Sequence, residues 1–268
     1  MGRHINMRKY LLVITTLLVF ANLDASNQAS YYNKSKPMIN WITLGTYLGA
    51  DVGGSYQGYK WGRIGGAHGM ALGIVVDGCA ASGWLYMERH NPGGLLRPVI
   101  PPANPQTISY MNEFERSGYL HNTFLVNFIN NSGQGYRTPE SYIDALYEPL
   151  CTFLSNEFHL SINEIKQQYT KAKLIQLITP MGINTSINDH ANMIAEDYGN
   201  TRLSDEYKRV LNTLLGLENK NIESGLAYIN SEISLVSISN NFSEEEKLIM
   251  RHSLNILKYS FSLWTAND

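Results

Sequence analysis

The chain has 268 residues, of which 44% are hydrophobic and 16% are charged, and its formal net charge is −2. This length allows one or two domains with a substantial buried core, and the charge gives no electrostatic reason to expect a nucleic-acid partner. Two cysteines are too few for a disulfide scaffold or a cysteine-rich zinc site.

The N-terminus has the organisation of a secretory signal peptide. Basic residues precede an uncharged apolar run at residues 11–21, and Ala25 and Ala29 offer two boundaries for cleavage. The run is too short to span a bilayer. We therefore predict a signal peptide over residues 1–25 and export to the periplasm, the cell envelope or the medium. Cleavage after Ala25 removes three Lys/Arg residues and one Asp, which changes the net charge to −4.

Glycine is concentrated in one segment, because 12 of the 22 glycines fall between Gly45 and Gly83. A first row at Gly45, Gly49 and Gly53 changes register at Gly53–Gly54, which predicts either two helices broken there or one helix with two smooth faces. Helical spacing then places seven glycines within a sector about 120° wide. These predicted helix-packing residues are Gly54, Gly58, Gly62, Gly65, Gly66, Gly69 and Gly73. Since each glycine costs about 1 kcal/mol relative to alanine in a helix, close approach of another helix must compensate.

Three interpretations of this segment stay open: a tightly packed helical pair, a membrane-associated element, or an irregular loop. Residues 64–87 are long enough to span a bilayer, but their large apolar side chains contribute about −4 kcal/mol while Asp77 returns about +3 kcal/mol. The balance is near zero. Nucleotide binding is not indicated, because neither phosphate-binding glycine motif occurs.

A proline-rich stretch follows, with five of the nine prolines between residues 91 and 105. It predicts a connector and loop over residues 91–135, between a glycine-zipper helical segment at 41–90 and a helical domain at 136–268. His121 and Asn122 are predicted to fix the entry from this loop into a helix that carries the apolar run 124–129.

The remaining sequence predicts consecutive helices from capping residues and apolar spacing. They are expected at 139–158, 162–178, from Ser204 through Leu217, at 221–233, and from Ser243 to Trp264. The predicted fold class is therefore all-α: a glycine-row helical hairpin or helix, followed by a C-terminal multi-helix domain.

No motif assigns a reaction. The seven histidines show no metal-ligand spacing, so neither a metal, a cofactor nor a catalytic residue is predicted. The sequence around Cys79, Gly-Cys-Ala-Ala-Ser, resembles the nucleophile region of secreted streptopain-type cysteine peptidases, which implies a distant histidine partner, here His121. Cys79 and Cys151 are otherwise expected to be either two free thiols or one disulfide.

The order of features resembles a family of exported glycine-zipper proteins of Bacteroidetes-type bacteria that lack an assigned activity. The resemblance rests on Gly-Ala-Asp51-Val-Gly-Gly, on Gly118-Tyr-Leu-His121-Asn122, and on the final helix ending at Trp264. It implies no catalytic residues. We therefore expect a non-enzymatic interaction protein whose glycine face contacts a second copy or membrane lipid, with a possible protein partner. The alternatives are a cysteine-dependent hydrolase using Cys79 and a membrane-disrupting toxin.

Overall fold

The computed structural model describes residues 41–62, 66–89, 111–132, 136–182, 185–187, 189 and 204–267, all within one compact unit, Asn40–Asp268. The predicted signal peptide and the proline-rich stretch 91–105 lie outside the described residues. The described part contains no strand, which confirms the predicted all-α class there. Its helices are α1 (Trp41–Gly62), α2 (Gly66–Arg89), α3 (Glu113–Ser132), α4 (Pro139–Phe158), α5 (Ile162–Gln168), α6 (Lys171–Ile178), α7 (Asp205–Leu215), α8 (Ile222–Ile238) and α9 (Glu244–Asn267).

Helices α1 and α2 form an antiparallel hairpin at the centre of the unit. They pack along each other's length, and all side chains from 43 to 59 and from 71 to 87 are buried. Of the two arrangements predicted for Gly53–Gly54, a break at this pair is wrong, because the pair lies inside α1, which extends to Gly62. The change of register reflects different neighbours: a Cβ on Gly45 would lie 2.8 Å from Cδ1 of Ile187, whereas the later glycines face α2.

The other helices enclose this hairpin. Helix α9 packs against α1, α3, α7 and α8, while α2 packs against α3, α4 and α6. The outer helices carry the amphipathic pattern expected of elements that cover a core. The hairpin itself is the innermost layer of the described unit.

Helix α3 corrects the predicted connector and loop over residues 91–135, since Glu113–Ser132 within that range is helical. Oδ1 of Asn112 accepts hydrogen bonds from the backbone N–H groups of Phe114 and Glu115, which caps the helix start. Buried residues then recur at helical spacing from Phe114 to Ile129. His121 therefore lies in the middle of a helix, and its predicted position at a loop-to-helix entry is wrong.

The predicted capping signals give most of the remaining starts. Thr138 forms a capping box before α4, and Ser243 and Glu246 form another at the start of α9. The helix predicted over 162–178 is two helices, because Tyr169 takes an extended backbone conformation and Thr170 caps α6. Helix α8 extends to Ile238, five residues past its predicted end.

Candidate functional site

The contact between α1 and α2 is made by backbone at glycine positions. Gly58 faces the carbonyl of Gly73 and Gly62 faces the carbonyl of Gly69, so that a Cβ on Gly58 or Gly62 would overlap the opposing group. One turn further on, a Cβ on Gly54 would lie 2.5 Å from the carbonyl oxygen of Asp77. Because the four-residue spacing runs along both helices, the two backbones stay in contact over three successive turns.

Five of the seven predicted packing glycines take part in this contact, which we call the glycine contact: Gly54, Gly58, Gly62, Gly69 and Gly73. The prediction left open one helix or a helical hairpin, and the structure has the hairpin, with the glycines of α1 facing those of α2. Gly66 is the first residue of α2, and Gly65 lies outside the described residues. The glycine rows therefore have a packing partner within the chain.

Side chains from three helices meet at Asp51, in the middle of α1. Nε1 of Trp264 on α9 donates a 2.7 Å hydrogen bond to Oδ2 of Asp51. Nε2 of His121 on α3 lies 2.8 Å from Oδ1 of Asp51. The two atoms form an ion-pair contact, but their geometry is not that of a hydrogen bond. Asn122 completes the group, which we call the Asp51 node: Asp51, His121, Asn122 and Trp264. The node ties α1, α3 and α9 together.

Asn122 sets the protonation of the imidazole. Its Nδ2 donates a 2.8 Å hydrogen bond to the carbonyl of Tyr259, so its Oδ1 is the atom that faces His121. That oxygen lies 3.0 Å from Nδ1 of His121 and accepts a hydrogen bond from the Nδ1–H group. With Nδ1 donating to Asn122 and Nε2 against a carboxylate, the geometry favours an imidazolium that carries both protons.

The electrostatics of His121 agree with this geometry. Burial by itself lowers the pKa of His121, but the charge of Asp51 and the polar contacts with Asp51, Asn122 and the Gly78 backbone outweigh it. The pKa of His121 is therefore raised above its ordinary value. Both side chains are fully buried, so water does not screen the pair.

Aromatic rings fix the indole that reaches the node. The rings of Tyr47 and Tyr86 lie 4.7 Å and 5.5 Å from the ring of Trp264, measured between centroids. Ring pairs at such separations are favourable beyond the area they bury. The hairpin thus supplies both the carboxylate acceptor and the two tyrosines that orient its donor.

A second carboxyl group, that of Asp77 on α2, is fully buried in the hairpin. Neither its Oδ1 nor its Oδ2 has a hydrogen-bond partner among the described residues. Burial raises its pKa well above the ordinary value, with the charge of Lys173 acting in the opposite direction. Its backbone belongs to the glycine contact through Gly54. Burial by the enclosing helices therefore favours the protonated form of this carboxyl.

Cys79, the candidate nucleophile, lies next to the Asp51 node but is not paired with an imidazole nitrogen. Its Sγ lies 3.6 Å from the carbonyl oxygen of His121, and its own carbonyl accepts a hydrogen bond from the hydroxyl of Tyr142. Burial, followed by the charges of Asp51 and Asp77, raises its pKa well above the ordinary value. The geometry therefore lacks the thiolate–imidazole pair that a cysteine hydrolase requires.

Cys79 and Cys151 are both buried and both free thiols. Of the two arrangements that the sequence left open, the structure has the free pair. Burial raises the pKa of Cys151 to about 11, so neither sulfur is a thiolate at neutral pH.

The sequence did not predict that Asp51, His121 and Trp264 meet. It offered His121 as a partner of Cys79 and as a helix-entry residue, and Asp51 and Trp264 only as parts of motifs. A signal for Asp51 was present, because it is the only acidic residue in a 22-residue helix rich in glycine and apolar side chains. A charged group at such a position is rare in a buried helix unless it is paired. The identity of its partners needed the tertiary structure.

Comparison with known protein families, with curated proteins and with solved structures finds no match for this chain. The resemblance to exported glycine-zipper proteins therefore stays a prediction. Within the described ranges, no group of three or more His, Cys, Asp or Glu side chains is placed to hold a metal ion. None of the described helices combines the length and apolar character needed to cross a membrane.

Proposed function

We propose that the chain is an exported, non-enzymatic interaction protein whose interacting element is the α1–α2 hairpin. The observation that supports this proposal is the complete burial of side chains 43–59 and 71–87 around a glycine contact. An apolar hairpin enclosed by amphipathic helices can associate with another surface once those helices move aside. The hairpin would stay paired through its glycines and present its outer apolar sides.

A second copy of the chain is the partner that these side chains favour. The enclosed hairpin carries polar groups, including Asp51, Ser55, Gln57 and Asp77. In lipid an acidic residue at the centre of a helix costs about 3 kcal/mol, whereas a second hairpin offers hydrogen-bonding groups of its own. If the enclosing helices move aside, contact of the hairpin with a membrane surface is the alternative outcome.

The two other functions expected from the sequence have less support. A hydrolase using Cys79 would need to pair its sulfur with an imidazole, and the sulfur instead contacts the backbone of His121. A membrane-disrupting toxin predicts dye release from vesicles, and no described helix is suited to span them. The buried thiol of Cys79 argues against the hydrolase, and the polar groups of the hairpin argue against insertion into lipid. Both therefore favour a non-enzymatic interaction protein.

The test is the oligomeric state of the processed protein over a concentration series, by light scattering after size exclusion, together with hydrogen exchange. We expect dimers at high concentration, and the dimeric fraction should show altered exchange in residues 43–59 and 71–87. Flotation with vesicles of neutral and of anionic lipid tests the membrane outcome. A monomer at every concentration that also fails to float would overturn the proposal.

A control variant separates the hairpin from the outer surface. Ile238, at the end of α8, is 75% exposed and is the most exposed of the large apolar side chains described outside the hairpin, so it could cause association without any opening. Ile238→Ser should leave the dimer unchanged. If this substitution abolishes dimerisation, the interface lies on α8 and the hairpin is not the interacting element.

A further inference from the structure

Two titratable sites are buried together with the hairpin. One is Asp77, whose side chain lies near Lys173 on α6 and near Tyr169, which follows α5. The other is the pair of Asp51 and His121, which brings α3 against α1. Both are shut off from water by helices that must move for the hairpin to become accessible.

We propose that Asp77 and the Asp51–His121 pair form a proton-dependent latch on the hairpin. The enclosed state holds one proton on Asp77 and a second on the imidazole of His121, and loss of either as the pH rises favours the open state. This inference rests on the proposed function only for what the open hairpin then does. The opening itself is a property of the buried groups.

The argument for Asp77 is that its ionised form has no partner. Neither side-chain oxygen accepts a hydrogen bond, and the side chain is fully buried. An ionised carboxylate in such a place is strongly disfavoured, whereas in the open state water would hydrate it. The neighbouring groups are Lys173, which favours the charge, and Tyr169 and Cys79, whose own ionisation would oppose it. Ionisation of Asp77 is therefore coupled to opening.

The argument for His121 is that its charge compensates the carboxylate of Asp51. If the imidazolium loses one proton, the positive charge beside Asp51 is lost, and the indole of Trp264 on α9 is a neutral donor that does not replace it. The other groups that face this pair are the backbone of Gly78, the thiol of Cys79 and the hydroxyl of Tyr142. None of these three carries a positive charge that could replace the imidazolium. A buried unpaired carboxylate is strongly destabilising.

The remaining shifted groups act outside the range from pH 6 to pH 8. The buried cysteines and tyrosines, whose pKa values are raised from 9.0 and 10.0, destabilise the folded state only at higher pH, and four other groups act at lower pH. The pKa of His252 is lowered to about 4, mainly by burial and then by the charge of Arg251. Hydrogen bonds lower the pKa values of Glu164, Asp205 and Glu246. All four groups favour the folded state as the pH rises from acid values and are already deprotonated above neutral pH. A loss of amide protection between pH 6 and pH 8 therefore reports on the latch.

The experiment is hydrogen exchange of residues 43–59 and 71–87 between pH 6 and pH 8, corrected for the intrinsic pH dependence of exchange. The opening equilibrium constant should rise with pH by up to about tenfold per unit for each proton released. Asp77→Asn should reduce this slope by the part that Asp77 contributes. Asp144→Asn is the matched control, because Asp144 is exposed on α4 and paired with Lys171, and it should keep the wild-type slope.

His121→Gln provides a second variant that does not depend on Asp77. It should be less protected at pH 6 and should have a smaller slope above pH 7. Wild-type slopes in both Asp77→Asn and His121→Gln would overturn the latch. If the opening equilibrium constant rises with pH in a chain that stays monomeric and does not bind lipid, the latch is retained and the proposed function is rejected. A dimer with pH-independent opening would reject the latch and retain the proposed function.

Discussion

The indole Nε1 of Trp264 donates a 2.7 Å hydrogen bond to Oδ2 of Asp51, across 213 residues of sequence. This contact closes the fold, because it joins the last helix to the first described helix inside the core. It also places a donor on a carboxylate that has no access to water. A hydrogen bond to a buried charge stabilises more than one between neutral groups.

Replacing Trp264 by Phe should therefore destabilise the protein by more than the loss of an indole alone. Trp84→Phe is the matched control, since Nε1 of Trp84 donates to the neutral carbonyl of Met181 at 3.1 Å. Both substitutions remove similar volume, but only the first deprives a carboxylate of its donor. We expect the free energy of unfolding in urea to fall by about 1–2 kcal/mol more for Trp264→Phe. Equal losses would mean that the charge on Asp51 is not what this contact stabilises.

The sequence predicted the positions of the helices better than the contacts between them. Capping residues such as Thr138 and Ser243 act within one turn, so their pattern identifies helix starts directly. The meeting of Asp51, His121 and Trp264 depends on three helices packing together, and periodicity gives the face of a helix without naming what covers it. The Tyr169 break was missed for the same reason, since its hydroxyl donates to the distant carbonyl of Gly69.

The prediction for the glycine rows stayed open between one long helix and a hairpin, because spacing alone cannot separate the two arrangements. Gly62 and Gly69 are seven residues apart and fall on one helical face, yet the chain reverses between them and sets them against each other. Spacing of four on both sides of the reversal produces the same pattern in either arrangement. The glycine spacing indicates a close backbone neighbour, whereas the choice between a neighbour within the chain and one outside it needed the structure.

Gly58→Ala should destabilise the hairpin strongly, because its Cβ would overlap the carbonyl of Gly73 and only backbone movement could relieve the overlap. We expect a loss of about 3 kcal/mol in the free energy of unfolding. Gly182→Ala is the control, since the nearest atom to its Cβ would be Oγ1 of Thr185 at 3.9 Å. That variant should stay within about 0.5 kcal/mol of the wild type. Comparable losses in the two variants would show that steric overlap at the hairpin is not the cause.

The two thiols should react slowly and at similar rates in the folded protein. Cys79 and Cys151 are buried, and burial raises both pKa values. Labelling by a thiol-reactive probe at neutral pH should therefore follow unfolding, with both cysteines labelled in urea. Mass spectrometry of peptides at successive times gives each rate separately. Much faster labelling of Cys79 in the folded state would restore the hydrolase alternative.

The acid side of the stability profile should depend on His252. This imidazole is buried on α9, where Nδ1 lies 3.2 Å from Oγ of Ser117, and burial lowers its pKa from 6.5 to about 4. A histidine with a lowered pKa in the folded state contributes stability above pH 6.5, and that contribution is lost as the pH falls toward 4. His252→Gln should therefore weaken the acid-side loss by about 3 kcal/mol between these two pH values. Urea unfolding at closely spaced pH values measures the difference between the two proteins.

His159→Asn, an exposed histidine at a left-handed helix end, is the control and should leave the profile unchanged. If His252→Gln follows the wild-type curve down to pH 4, the buried imidazole is not the group that titrates there.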